Sequence, residues 1–247
     1  SLYDSSSPNT NGASATCSQS TIRFAAPTDA ASPRFTGIPV CAANWPRNRA
    51  PARCSRGAAA LANARTFGGE DYVGFHAFMA LAPAYQMTRE MPSDRKLLPL
   101  LKVLYRSTNQ IQTKGGRTSE VLHPIEAQPL PAPKERRTTL REAMRKRDMD
   151  TAEGLFAGMV MHSPNEAYND LQAMVQDETD VHRVVLAYRA WDLLGLTGKE
   201  YAHTTLRQSV RYCVGVEKSR LAHGYPESGI RALLPKLIDQ YHLAERT

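Results

Sequence analysis

The chain has no run approaching the roughly 20 apolar residues that a bilayer-spanning helix needs, so it reads as soluble or peripheral. It is poor in cysteine. Cys17, Cys41, Cys54 and Cys213 are the four present, and none has CxxC or CxxCH spacing. That excludes the usual zinc-ribbon, thioredoxin-type and haem-attachment patterns. Three of the four fall in the N-terminal third, where a disulfide lacks supporting spacing. Cys213 sits among apolar neighbours and reads as a buried thiol rather than a nucleophile. No GxGxxG follows a strand, and there is no P-loop, HExxH, GxSxG or EF-hand loop. No segment alternates apolar and polar residues like a hairpin.

Acids are scarce at one end only. Residues 1–69 hold seven arginines, no lysine, and two acids, Asp4 and Asp29, a net +5 of the chain's +7. The remaining residues carry 24 basic and 22 acidic side chains. The folded part is therefore nearly neutral, which argues against general nucleic-acid binding. Residues 41–65 (CAANWPRNRAPARCSRGAAALANAR) contain no acid at all. Arg and Ser enrichment with few acids resembles an organelle-targeting sequence. A long irregular arm is expected over 1–69, outside any domain, available to grip a protein partner or a second copy. Localisation is left between organelle and cytoplasm.

From residue 70 to 247 the pattern is all-α, with about eight helices in antiparallel hairpins. Tyr72 to Met87 is apolar almost all round, the mark of a buried helix, with a kink expected at Pro83. A second helix is expected over 94–112, with Leu97, Leu100, Leu101, Leu104 and Ile111 on one side and Gly115-Gly116 at its end. Prolines 124, 129, 131 and 133 mark an irregular crossover. Lys134 to Arg147 holds seven basic residues beside Glu135 and Glu142, and reads as a helix with a solvated basic face. Capping boxes at Asp150–Glu153, Ser163–Glu166 and Thr197–Glu200 place helix starts. Asp177 is expected to cap a helix running to Leu196. A last helix is expected over about 227–243.

Histidines are the remaining chemical signal. His76 lies inside the apolar helix beside Phe75, Phe78 and Met79. His182 precedes Val185, Leu186 and Arg189 on one face, with Glu178 four residues before it, a spacing that can chelate a metal. His203 shares a face with Leu206, Val210 and Cys213. Glu200 and His203 form Glu-x-x-His, the spacing of helical dimetal sites, without a second copy. His76, His182 and His203 are therefore the candidate acid/base groups. Glu178, His182 and His203 are the candidate ligands of iron or another transition metal. The structural alternative for each histidine is a hydrogen-bonded core residue. His162 reads as a partner of a helix C-terminus. His123, His223 and His242 fall in loops or at the terminus.

Two segments carry a resemblance. Gly74 to Gln86 (GFHAFMALAPAYQ) and Val181 to Leu194 (VHRVVLAYRAWDLL) resemble the histidine-bearing helices of questin oxidase-like proteins. That group is all-helical and is associated with oxygenative ring opening of anthraquinones. The resemblance implies a cofactor-poor or NADPH-linked oxygenase with histidines lining an apolar cavity, His76 and His182 among them, and a small-molecule substrate. Residues 148–175 also resemble one pentatricopeptide unit, without a second copy at the expected period. Three functions thus stand. They are an oxygenase-like oxidoreductase with a histidine-lined apolar helical pocket, a non-enzymatic subunit whose arm wraps a partner, and a helical-repeat RNA-binding protein. The oxidoreductase requires its histidines to converge.

Overall fold

The structure is a computed structural model that describes residues 51–243, with side chains from residue 57. The described residues from Ala52 onward form one compact unit. Expectations for the arm before Pro51, including targeting, partner contacts, Cys17 and Cys41, lie outside the described residues.

The described residues are all-α, without a strand. The first helix, α1 (Pro51–Phe67), corrects the expected arm boundary, since it begins well before residue 70. Its alanine-rich sequence is a strong helix former, and Ala60, Ala64 and Phe67 are fully buried in the domain core. Arginine enrichment had disguised an ordinary packing helix.

Next come α2 (Tyr72–Met87) and α3 (Leu98–Lys114), packed together. The Asp71 carboxylate caps α2, accepting from the Gly74 amide at 2.6 Å. Pro83 lies within the helix. Where the second helix was expected from residue 94, α3 starts at Leu98 because Pro99 occupies its first turn, where a missing N–H costs nothing. Gly115 ends it as expected. Of its leucines, Leu100 is buried, but Leu97 and Leu101 are exposed, so the inward face is narrower than the sequence pattern.

The proline-rich crossover is irregular, and it leads to α4 (Arg136–Arg145). Its basic face is only partly solvated. Arg136 is buried against Glu166, and Arg145 donates from Nε and Nη2 to Asp177 at 2.6 and 2.8 Å. A hairpin of α5 (Met149–His162) and α6 (Pro164–Val175) follows, joined by Ser163, whose hydroxyl accepts from the Glu166 amide. The α5 cap is Asp148, two residues before the expected Asp150. Residues Ala152 to Val160 are all buried. The crossover lies directly against α5, and a Cβ on Gly158 would fall 2.6 Å from the Gln128 carbonyl oxygen.

Asp180, not Asp177, caps α7 (Val181–Asp192). A short α8 (Leu194–Thr197) and a 3₁₀ turn (Lys199–Tyr201) lead into α9 (Ala202–Ala222). The expected capping box at Thr197–Glu200 is not formed, because the 3₁₀ turn intervenes and Thr197 Oγ1 donates to Leu193 O. The last helix is α10 (Ile230–Gln240). Central to the core is α9, whose Leu206, Val210, Cys213 and Val214 are fully buried while it packs on α4, α5, α6 and α7. Burying each large aliphatic side chain is worth about 1.5–3 kcal/mol. Among the described residues, no helix is long and apolar enough to cross a membrane.

Candidate functional site

Two of the three candidate histidines meet. The rings of His76 on α2 and His182 on α7 lie edge to face, with centroids 5.0 Å apart. Tyr72 and Phe75 from α2 and Tyr212 from α9 enclose them, at 5.8, 5.5 and 6.0 Å from the His182 ring. Each helix is fixed in rotation by something behind it. Phe75 is buried on α2, one residue from His76. Arg183, one residue past His182, is wholly buried and donates to Glu217 at 2.6 Å and to the Met174 carbonyl at 3.2 Å. Adjacent helical residues differ by about 100° in direction, so an inward Arg183 sends His182 toward α2.

Hydrogen bonds set the tautomers. His76 Nδ1 lies 2.6 Å from the Tyr72 carbonyl oxygen. A carbonyl only accepts, so this nitrogen carries the hydrogen and Nε2 of the neutral ring presents a lone pair. His182 Nδ1 lies 3.2 Å from Asp180 Oδ1, a carboxylate that also accepts the His182 amide at 2.9 Å. The other oxygen, Oδ2, accepts from the Tyr212 hydroxyl at 2.8 Å. Tyr212, Asp180 and His182 therefore form a chain. Burial, followed by the hydrogen bond and charge of Asp180, pushes the Tyr212 phenol up, so it stays a neutral donor. Asp180 orients the His182 ring. His182 keeps a quarter of its side-chain surface exposed and Tyr72 is exposed, so the pair is open to solvent.

His203 does not join them. It lies about 13 Å along α9 from Tyr212 at 1.5 Å per residue, beside Arg207 and Glu153. Burial first, and then the Arg207 charge, lower its pKa to about 4, against the opposing effect of Glu153. Its Nε2 is buried without a hydrogen-bond partner among the described residues. It is a neutral, enclosed imidazole.

The expected ligand set of Glu178, His182 and His203 is not assembled. Glu178 precedes α7, so it has no i, i+4 relation to His182, and it pairs with Arg220. Glu200 sits in the 3₁₀ turn with its carboxylate folded over Gly198, off the helix that carries His203. Among the described residues, no group of three His, Cys, Asp or Glu side chains is placed to hold a metal ion. His162 stands in the last turn of α5, as expected, and also approaches Glu166, at 3.4 Å. Cys213 is fully buried, which pushes its thiol up to about 12 and removes it as a nucleophile.

A cleft of about 1030 Å³ runs between the crossover, the start of α5 and one side of α9, and touches none of the three candidate histidines. Sequence reasoning missed Tyr72, Asp180 and Tyr212. An Asp-x-His at a helix start was the available signal for Asp180, obscured by placing the cap at Asp177. Tyr212 carried no signal, because its role depends on α9 crossing α7. Compared with known proteins, the chain matches no family model, no curated protein and no solved structure.

Proposed function

We propose that this chain is an enzyme in which His182, backed by Asp180 and Tyr212, removes a proton from a small hydroxylated aromatic substrate, with His76 as second acceptor. The observation that carries the reading is the pair itself: two imidazoles from separate helices, each with Nδ1 hydrogen-bonded and Nε2 without a hydrogen bond among the described residues. Two neutral Nε2 lone pairs beside exposed aromatic surface suit general-base chemistry on a flat, weakly acidic hydroxyl. The oxidoreductase assignment, with dioxygen as the oxidant, rests on the resemblance of the two helices that bear these histidines.

The test is oxygen uptake by the full chain with a panel of hydroxyanthraquinones and simpler phenols, with NADPH present and absent, and with iron added or chelated. Turnover is expected, falling about 10²–10⁴-fold in His182→Asn and less in Asp180→Asn and His76→Asn. Uptake that is absent throughout, or unchanged in His182→Asn, overturns the reading.

A subunit role is favoured by a different observation. Leu97, Leu101 and Tyr105 make an exposed stripe on α3, and Val181, Val184 and Tyr188 another on α7. Exposed apolar surface on this scale often marks an interface. Light scattering of the purified chain distinguishes the two, since a self-association lost on Val184→Lys with catalysis absent supports the subunit.

A further inference from the structure

The His76–His182 pair carries the marks of a ligand pair as well as those of a base. A histidine that binds a metal through Nε2 donates its other ring hydrogen to a carboxylate or a backbone carbonyl, which fixes the tautomer and the direction of the ring. Both rings meet that condition. His76 Nδ1 lies 2.6 Å from the Tyr72 carbonyl oxygen, and His182 Nδ1 lies 3.2 Å from Asp180 Oδ1. Asp180 is itself held, since Oδ2 accepts from the Tyr212 hydroxyl and Oδ1 also accepts from the His182 amide. Neither Nε2 has a hydrogen bond among the described residues.

The spacing of the rings points the same way. Imidazoles that share one ion bind it at about 2.0–2.1 Å. With the bond angles of six- or four-coordinate ions, their centroids then stand about 4.5–5.2 Å apart. The observed separation is 5.0 Å, with the ring planes at 75°. Both rings sit on helices with side-chain caps, Asp71 for α2 and Asp180 for α7. Both are partly exposed, so an ion can enter without the core opening. Among the described residues no group of three His, Cys, Asp or Glu side chains is placed to hold an ion. The pair therefore supplies two ligands, and solvent or a substrate oxygen supplies the others. Imidazole nitrogen favours nickel, copper and zinc over magnesium and calcium.

We propose that His76 and His182 together chelate one divalent late transition-metal ion, of the nickel or zinc class, through their Nε2 atoms. The ion takes the lone pairs that proton abstraction needs, so chelation and general-base catalysis are alternative uses of one pair. The proposal rests on the same two rings as the proposed function but not on turnover. Ion binding is read without substrate, so either reading can fail alone.

The probes are nickel and zinc chlorides, titrated calorimetrically into the full chain after its accessible thiols are alkylated. Wild type is compared with His76→Asn, His182→Asn and, as a control at an exposed histidine, His162→Asn. Sites elsewhere on the chain are common to all four proteins and cancel in the differences. Each of the first two substitutions should weaken one site by about tenfold or more, since loss of an outer partner alone costs roughly 10–100-fold. Asp180→Asn should weaken it less, because asparagine still caps α7 while the carboxylate charge behind His182 is gone. His162→Asn should change nothing. A measurement on wild type alone covers a variant that fails to fold. Nickel should protect His76 and His182, but not His162, from acylation by diethyl pyrocarbonate, read by peptide mass. Equal affinity in wild type and His182→Asn, a loss in only one of the two ring variants, or protection that misses either ring would overturn the proposal. So would an equal loss in His162→Asn, the mark of scattered surface binding.

Discussion

Acidification should destabilise this domain through His203, and by an amount that follows from its surroundings. The ring sits beside the Arg207 guanidinium on its own helix, with Glu153 of α5 as the opposing charge. Burial and Arg207 hold its pKa near 4, below the ordinary 6.5. The unfolded chain therefore takes up a proton near pH 6.5, while the native chain resists until about pH 4. Stability from this group is fully present above 6.5 and is lost as pH falls through that window. Linkage puts the loss at about 2 kcal/mol by pH 5 and about 3 kcal/mol by pH 4. His203→Leu removes the titration and the unpartnered Nε2 together. Urea unfolding followed by circular dichroism should find the variant within about 1 kcal/mol of wild type at pH 7. At pH 5 the variant should be the more stable by about 2 kcal/mol relative to that baseline. Carboxylates titrate in the same range, but they are common to both chains and cancel in the difference. Parallel pH profiles for the two proteins would refute the reasoning.

Two further perturbations probe the scaffold around the histidine pair. Gly74→Ala places a Cβ 2.5 Å from Phe67 Cδ2, and Phe67 is fully buried, so a loss of about 1–3 kcal/mol is expected in urea melts. A change under about 0.5 kcal/mol would show that α1 and α2 slide apart freely. Arg183→Ala leaves Glu217 with Arg231 as its remaining partner, so the cost should fall near the lower end of the range for broken buried pairs, about 3 kcal/mol. Arg189→Ala, at a partly exposed position, breaks the pair with Asp192 and the contact over the Tyr188 ring, and should cost less than about 1 kcal/mol in the same assay.

Local signals were read correctly where a few neighbouring residues decide the outcome. The apolar span 72–87 is the helix Tyr72–Met87 to the residue, because a nearly continuous apolar run behind an Asp71 cap leaves no competing pattern. The Ser163-Pro164-Asn165-Glu166 start is likewise correct, because hydroxyl cap and first-turn proline act within one turn. The errors came where acids had two uses. Asp177 and Glu153 looked like cap residues by spacing, yet Asp177 binds Arg145 and Arg231, and Glu153 binds Arg207 and Arg211. A guanidinium from a distant helix offers an acid a charge-assisted, often bidentate pair that competes with its own helix amides. The sequence holds no record of that meeting.

The same division runs through the candidate sites. Sequence by itself determined an all-α domain, the helices bearing His76 and His182, and the buried state of Cys213, since periodicity and local composition act along the chain. Tertiary structure alone decided that His76 and His182 meet, that His203 stays apart, that Glu178 turns to Arg220, and that a cleft opens beside Arg207. Each depends on how α2, α5, α7 and α9 pack side by side. Packing is chosen by the fit of whole faces and by the pairing of buried arginines with acids far away in sequence, so no single segment encodes it.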